Sequence, residues 1–213
     1  MQKVHGGATL VSDSAAYEPS FAAKSTLQQE AARKLGFTAQ RTMRVAQQLY
    51  EGIDLGEGPV GLITYMRTDS VNLSKLALSM AKTEIEKNYG ENYLKTRQFT
   101  TKSKSAQEAH EAIRPTYLNT AEIDGDNSQK RLYELIWKRT IASQMAEALL
   151  EKTNVVIDIT GRDEKFIAKG EVIKFDGFLK VYLESTDDDE QDVQKGMLPP
   201  VKKDDQLKRS DIT

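Results

Sequence analysis

The chain has 213 residues, 38% of them hydrophobic, enough for a packed core, and no apolar run approaches the roughly 18 to 20 residues that cross a bilayer. It has no cysteine and only two histidines, His5 and His110, which excludes a disulfide framework and a cysteine-bound zinc and leaves carboxylates to supply any metal cage. Thirty Lys and Arg against 32 Asp and Glu give a net charge of -2, so a nucleic-acid surface has to be local: residues 25–150 hold 17 basic and 15 acidic side chains, residues 151–213 hold 11 and 15.

Residues 1–24 hold His5, Gly6, Gly7, a Ser/Ala-rich stretch and Pro19, and the apolar run at residues 9–11 predicts one strand after a frayed start. No signal-peptide order is present, and the expectation is a cytoplasmic protein. From Ser25 the composition turns to Gln, Glu, Ala, Arg and Lys: Ser25 or Thr26 caps a helix through Leu35, and Gly36 stops it. Thr38 caps a second helix, with Met43, Val45, Ala46, Leu49 and Tyr50 near helical spacing, which runs into a Gly-rich turn over residues 52–61. Leu62, Ile63 and Tyr65 are too few for a helix and read as a short strand leading into the polar Arg67, Thr68, Asp69 and Ser70.

A third helix starts at Asn72 or Ser74, carries Leu76, Leu78, Met80, Ile85 and Tyr89, and closes at Gly90. Residues 93–106 are polar and predict a mobile loop, while residues 106–113 are helix-compatible until Pro115. The last long helix, about residues 128–150, places Leu132, Leu135, Ile136, Ile141, Met145 and Leu149 on one face. After Lys152 the period falls to two: Val155, Ile157 and Ile159 alternate with Val156, Asp158 and Thr160, a turn spans residues 161–165, and Phe166, Ala168, Val172, Ile173, Phe175, Phe178, Val181 and Tyr182 populate further strands. Residues 187–192 read as an acidic, solvated loop with no metal role, Pro199 and Pro200 break the chain, and residues 206–212 allow a last strand. The fold class is therefore α+β.

Two short stretches carry chemistry. In LITYMRTDS, two steps along an extended chain put Tyr65 and Arg67 on one side. A phenol is a weak nucleophile at neutral pH, and a neighbouring guanidinium both favours the phenolate and binds the phosphate under attack. Arg67 supplies a planar fork for two phosphate oxygens, and Asp69 is placed to orient it. The alternative is an ordinary strand tyrosine beside a surface ion pair. In SAQEAHEAIRPT, His110 and Arg114 share a face if the segment is helical, with Glu111 beside them; the imidazole can donate to a phosphate oxygen and the guanidinium can hold a neighbouring phosphate. The competing reading is a solvated helix face.

LITYMRTDS, AHEAIRPT and the upstream STLQQEAARKLGF, in this order and spacing, closely resemble the type IA DNA topoisomerases, as do LYELIW at residues 132–137 and RDEKFIAKGEVIKFDGFLKVY. Met66 resembles the bacterial topoisomerase I branch, whose decatenating relatives usually carry proline there. Residues 21–24 depart from a more polar family stretch, and residues 1–20 match no family pattern. The resemblance implies that Tyr65 attacks one DNA strand to form a transient 5′-phosphotyrosine link, that Arg67 stabilises the transition state, and that His110 hydrogen-bonds the scissile or adjacent phosphate. Asp69, Glu111 and Arg114 are carried over as DNA-contacting residues.

By the same resemblance, residues 25–150 form the mainly helical domain that bears the nucleophile, residues 151–213 a β-rich arch, or gate, segment, and residues 1–24 a loosely defined start with one possible arch strand. The implied partners are single-stranded or negatively supercoiled duplex DNA in the bacterial nucleoid, together with a Toprim domain and a DNA-gripping domain of the same protein. The implied cofactor is Mg2+, bound by Toprim carboxylates that this sequence does not contain, so the chain alone is expected to be inactive. A tyrosine recombinase-like strand transferase and a non-catalytic DNA-binding module are the competing functions. In the recombinases the tyrosine follows the Arg and His, whereas Tyr65 precedes Arg114 and His110.

Overall fold

The structure is a computed structural model that describes residues 8–17, 24–54, 59–99, 110–158 and 163–182. They fall into two compact units, a helical one containing residues 24–147 and 177–182 and a sheet containing residues 8–17 and 148–176.

In the helical unit α1 is Lys24–Leu35, and Gly36, at φ 66, lets the chain reverse so that its amide and that of Phe37 reach back to Ala32 O and Ala31 O. The N-cap of α2 (Ala39–Glu51) is Thr38, whose side chain accepts from the Arg41 amide, as the sequence predicts. Gly52 closes α2, and a Cβ there would lie 2.6 Å from the Val60 backbone carbonyl, so only glycine lets the chain return so tightly. It returns as a two-stranded hairpin, β2 (Ile53–Asp54) against β3 (Pro59–Val60). The sequence reads only a turn here, because two residues per strand are too few to show a period.

The N-cap of α3 (Lys75–Asn88) is Ser74, accepting from the Ala77 amide, and α3 gives way at Gly90, φ 98, to a 3-10 turn at Glu91–Tyr93. Its buried face is Ala77, Ala81 and Ile85, whereas Leu76 is largely exposed; small residues let α3 approach its neighbours closely. Helix α4 (Asn127–Ser143) begins with a capping box between Asp126 and Gln129. It packs against α1 and α2, and the shared core holds Leu27, Leu49, Leu132, Ile136 and Ile141, all fully buried. Each such side chain contributes about 1.5 to 3 kcal/mol over an exposed one.

Helix α4 ends seven residues before the sequence pattern does. The Lys95 amide donates to Gln144 O, Leu94 bridges Met145, and the Ala146 amide donates to Tyr93 O, so long-range pairing takes the backbone groups that further helix would need. Residues 93–99, read as part of a mobile loop, are thus pinned. Phe178, Val181 and Tyr182, read as strand, are also different: Gly177–Lys180 is a 3-10 turn, Phe178 donates its amide to Ala146 O, and the buried Tyr182 hydroxyl donates to the Glu30 carboxylate.

The sheet has the order β1-β4-β5, all antiparallel. Strand β1 (Ala8–Tyr17) pairs along its whole length with β4 (Ala148–Asp158), from Ala8 opposite Ile157 to Tyr17 opposite Ala148, far beyond the short run expected. Strand β5 (Lys165–Phe175) covers the other edge of β4, with one irregularity between Leu149 and Leu150. His5, the acidic residues 187–192, Pro199, Pro200 and residues 206–212 lie outside the described residues.

Candidate active site

The segment before Tyr65 is held by a two-sided ladder. Ile63 bridges Pro115, the Leu62 amide donates to Leu49 O at 2.8 Å, the Thr64 amide donates to Arg114 O at 2.9 Å, and the Thr116 amide donates to Leu62 O at 2.9 Å. Thr64 adds a cross-link no sequence pattern announces: its hydroxyl donates to Ala112 O at 2.7 Å and accepts from the Arg114 amide at 3.0 Å.

Beyond the ladder, burial alternates residue by residue. Met66, Thr68 and Ser70 are buried, Arg67 and Asp69 are exposed, and Tyr65 is half-buried. Tyr65, Arg67 and Asp69 are therefore the more exposed positions of this segment, although the chain bends at Met66 and Arg67 instead of continuing the short strand expected. The buried positions fix the backbone from below, with the Ser70 amide donating to Thr68 Oγ1 at 3.0 Å and the Asn72 amide to Ser70 Oγ at 3.2 Å. Asp69 and Arg67 form no ion pair among the described residues, so the guanidinium fork stands free for another partner.

The Tyr65 ring has two aromatic neighbours. His110 is 4.9 Å away between centroids and tilted by 36°, and Tyr50, at the end of α2, meets it edge-on at 5.6 Å and 72°. Tyr65 and His110, 45 positions apart in sequence, are thus neighbours, as the candidate site requires. Tyr50 reads in the sequence as one more apolar position of α2, yet it stands 40% exposed beside Tyr65. Its place in the helical period gives no hint of that.

Residues 110–115 are not helical, so His110 and Arg114 do not share a helix face. Pro115 disfavours helical backbone at Arg114, and the ladder to residues 62–64 takes the backbone groups. The consequence is a change of direction for Arg114. It is 8% exposed, its Nε donates to Glu111 Oε2 at 2.6 Å, and its Nη1 donates to Pro115 O at 2.8 Å. Burial pushes the Glu111 carboxyl up, but hydrogen bonds from Arg114 and from the Ser74 hydroxyl and amide outweigh it and leave the pKa below the ordinary carboxylate value. Glu111 thus ties the loop that carries His110 to the first turn of α3.

No three His, Cys, Asp or Glu side chains converge as metal ligands among the described residues. No described helix is long and apolar enough to cross a membrane.

An outward tyrosine and guanidinium with an imidazole against the phenol are suited to attack on a phosphodiester. The family model described as DNA topoisomerase matches residues 11–213, and the chain belongs to that family. Its relatives place it in the type IA, bacterial topoisomerase I branch. The chain is 50% identical over 196 residues to DNA topoisomerase 1 of Rickettsia bellii, covering 88% of this chain and 24% of the relative. It is 54% identical over 187 residues to DNA topoisomerase 1 of Xylella fastidiosa, covering 84% and 23%. The structure of full-length topoisomerase I from Thermotoga maritima superposes with a TM-score of 0.74 at 36% identity, over 89% of this chain and 31% of that one. The chain thus spans about a quarter of the length of the curated relatives it matches.

Proposed function

We propose that this chain is the nucleophile-bearing central part of a topoisomerase that relaxes negatively supercoiled DNA by passing one strand through a transient break in the other. The Tyr65 oxygen attacks a backbone phosphorus as its phenolic proton leaves, the bond from phosphorus to the 3′ oxygen breaks, and the departing 3′ oxygen takes a proton, so the net proton transfer is from the phenol to the 3′ oxygen. The product is a 5′-phosphotyrosine ester and a free 3′-hydroxyl; attack by that hydroxyl restores the strand and releases Tyr65. Because one phosphodiester replaces another, religation needs no external energy source.

Arg67, exposed and without an acidic partner among the described residues, holds two oxygens of the scissile phosphate and neutralises charge as the pentavalent state forms. His110 donates a hydrogen bond to the same or the next phosphate, and Asp69 borders the site as a DNA-facing residue. Glu111 and Arg114 serve the site from beneath: their buried pair positions the His110 loop rather than touching DNA. Magnesium would be held by carboxylates of other domains of the intact enzyme. The sheet unit is the gate segment, and the enzyme works on the DNA of the bacterial cytoplasm.

The single observation that carries this reading is the Tyr65 ring set 4.9 Å from His110, with Arg67 exposed beside it in the same segment. Its test is trapping. The intact enzyme, given labelled single-stranded DNA and magnesium and then denatured, should carry a 5′-phosphate in the tryptic peptide of residues 45–67, with fragmentation placing it on Tyr65. A 3′ linkage would point to recombinase-like chemistry, no adduct to a non-catalytic module, and an adduct on Tyr50 to a different nucleophile.

A further inference from the structure

The half-buried phenol of the proposed nucleophile poses a positional problem. Tyr65 lies just past the last bonded residue of the ladder, and an attacking oxygen has to sit about 3 to 3.5 Å from phosphorus and in line with the leaving group. The hydrogen bonds of Thr68 and Ser70 hold the backbone beyond Tyr65 without reaching the ring. His110 packs against it and is itself needed for phosphate.

Tyr50 is the second aromatic neighbour of the ring, and it stands at the end of α2, whose backbone meets the segment leading to Tyr65. The Leu62 amide donates to Leu49 O, and a Cβ on Gly61 would stand 2.9 Å from Tyr50 O, so the end of α2 and the segment leading to Tyr65 are in close backbone contact. An edge-on aromatic pair at 5.6 Å and 72° has the favoured geometry, with the positive edge of one ring against the negative face of the other. The contact is specific to a flat ring and needs no hydroxyl.

We propose that Tyr50 is a positioning residue for Tyr65: its ring, carried on backbone that meets residues 61–62 closely, joins His110 in an aromatic clamp that holds the phenol in its attacking rotamer. The inference rests on Tyr65 being the nucleophile, and it predicts a dependence on ring shape. Tyr50→Phe keeps the clamp, and Tyr50→Leu removes it while leaving an apolar side chain at a site that is 40% exposed and outside the buried core.

Two measurements test it. In the 213-residue chain, the ring resonances of Tyr65, selectively labelled, should be displaced in Tyr50→Leu and retained in Tyr50→Phe, with the resonances and melting temperature of α3 and α4 unchanged. In the intact enzyme, the single-turnover rate of adduct formation should fall on the order of 100-fold in Tyr50→Leu, the scale of loss expected for a small misplacement of a reacting group. Tyr50→Phe should stay within about twofold of wild type, and single-stranded DNA affinity should be unchanged in both. Equal adduct rates in wild type and Tyr50→Leu would overturn the clamp while leaving the function intact. A rate loss that Tyr50→Phe shares, or that comes with lost DNA affinity or a lower melting temperature, would also overturn it. Absence of an adduct in wild type would instead overturn the reading on which the clamp depends.

Discussion

At the scale of single residues, the site separates groups that face outward from groups that hold them. Arg67 has no acidic partner among the described residues, and its proposed work is to grip two oxygens at once. Lysine carries the charge without the fork, so Arg67→Lys should lower the rate of strand cleavage by about 100-fold or more in the intact enzyme, as loss of a single transition-state donor does elsewhere. Wild-type rates in a gel cleavage assay would remove Arg67 from the mechanism. Arg114 belongs to the other class. Removing one partner of a buried ion pair costs about 3 to 5 kcal/mol, and because Glu111 keeps some solvent access, Arg114→Leu should cost about 2 kcal/mol in urea unfolding. A variant with full stability but poor DNA binding would mean that Arg114 contacts DNA after all.

At the scale of elements, local signals were legible and long-range ones were not. The caps at Thr38 and Ser74 and the stops at Gly36 and Gly90 depend on a residue and its next few neighbours, and all appear where the sequence places them. The alternating exposure of Tyr65, Arg67 and Asp69 was legible for the same reason, since it needs only period two. Several misreadings involve a distant partner. Residues 144–150 look helical until Leu94 and Lys95 capture Met145 and Gln144 and β1 and β5 pair with the rest. Residues 110–113 look helical until residues 62–72 claim their backbone, and Tyr182 looks like strand until Glu30 takes its hydroxyl. The family resemblance supplied the pairing of Tyr65 with His110, which no spacing rule gives across 45 positions. It was silent about Tyr50. The approach of α2 to the nucleophile segment can be tested at Gly61: an alanine Cβ 2.9 Å from Tyr50 O forces backbone to move. Gly61→Ala should lose about 1 to 3 kcal/mol, the cost of overpacking, and slow adduct formation with it. Unchanged stability and rate would show that the segment has slack.

At the scale of the whole molecule, the net charge of -2 hides an uneven use of charge. Within the helical unit Glu147 accepts from Lys95 and lies 3.0 Å from Arg97; the hydrogen bond from Lys95 leads in pulling its carboxyl from the ordinary 4.5 down to about 2. A carboxylate whose pKa is lowered by folding stabilises the native state fully above its unfolded value and loses that contribution as protons bind. The melting temperature of the chain should therefore fall as pH drops from about 4.5 toward 2, and more steeply than in Glu147→Gln, which has no carboxylate to protonate there. Identical acid profiles for the two proteins would show that this tie does not contribute.

The proposed strand cleavage turns on the chemistry of one oxygen atom. Tyr65→Phe removes that atom and leaves the ring, its two aromatic neighbours and the outward guanidinium in place. Measured side by side in the intact enzyme on a labelled single strand, cleavage should be abolished while noncovalent DNA affinity stays within about twofold of wild type. Residual strand cleavage at wild-type sites, or affinity lost in proportion to cleavage, would contradict it.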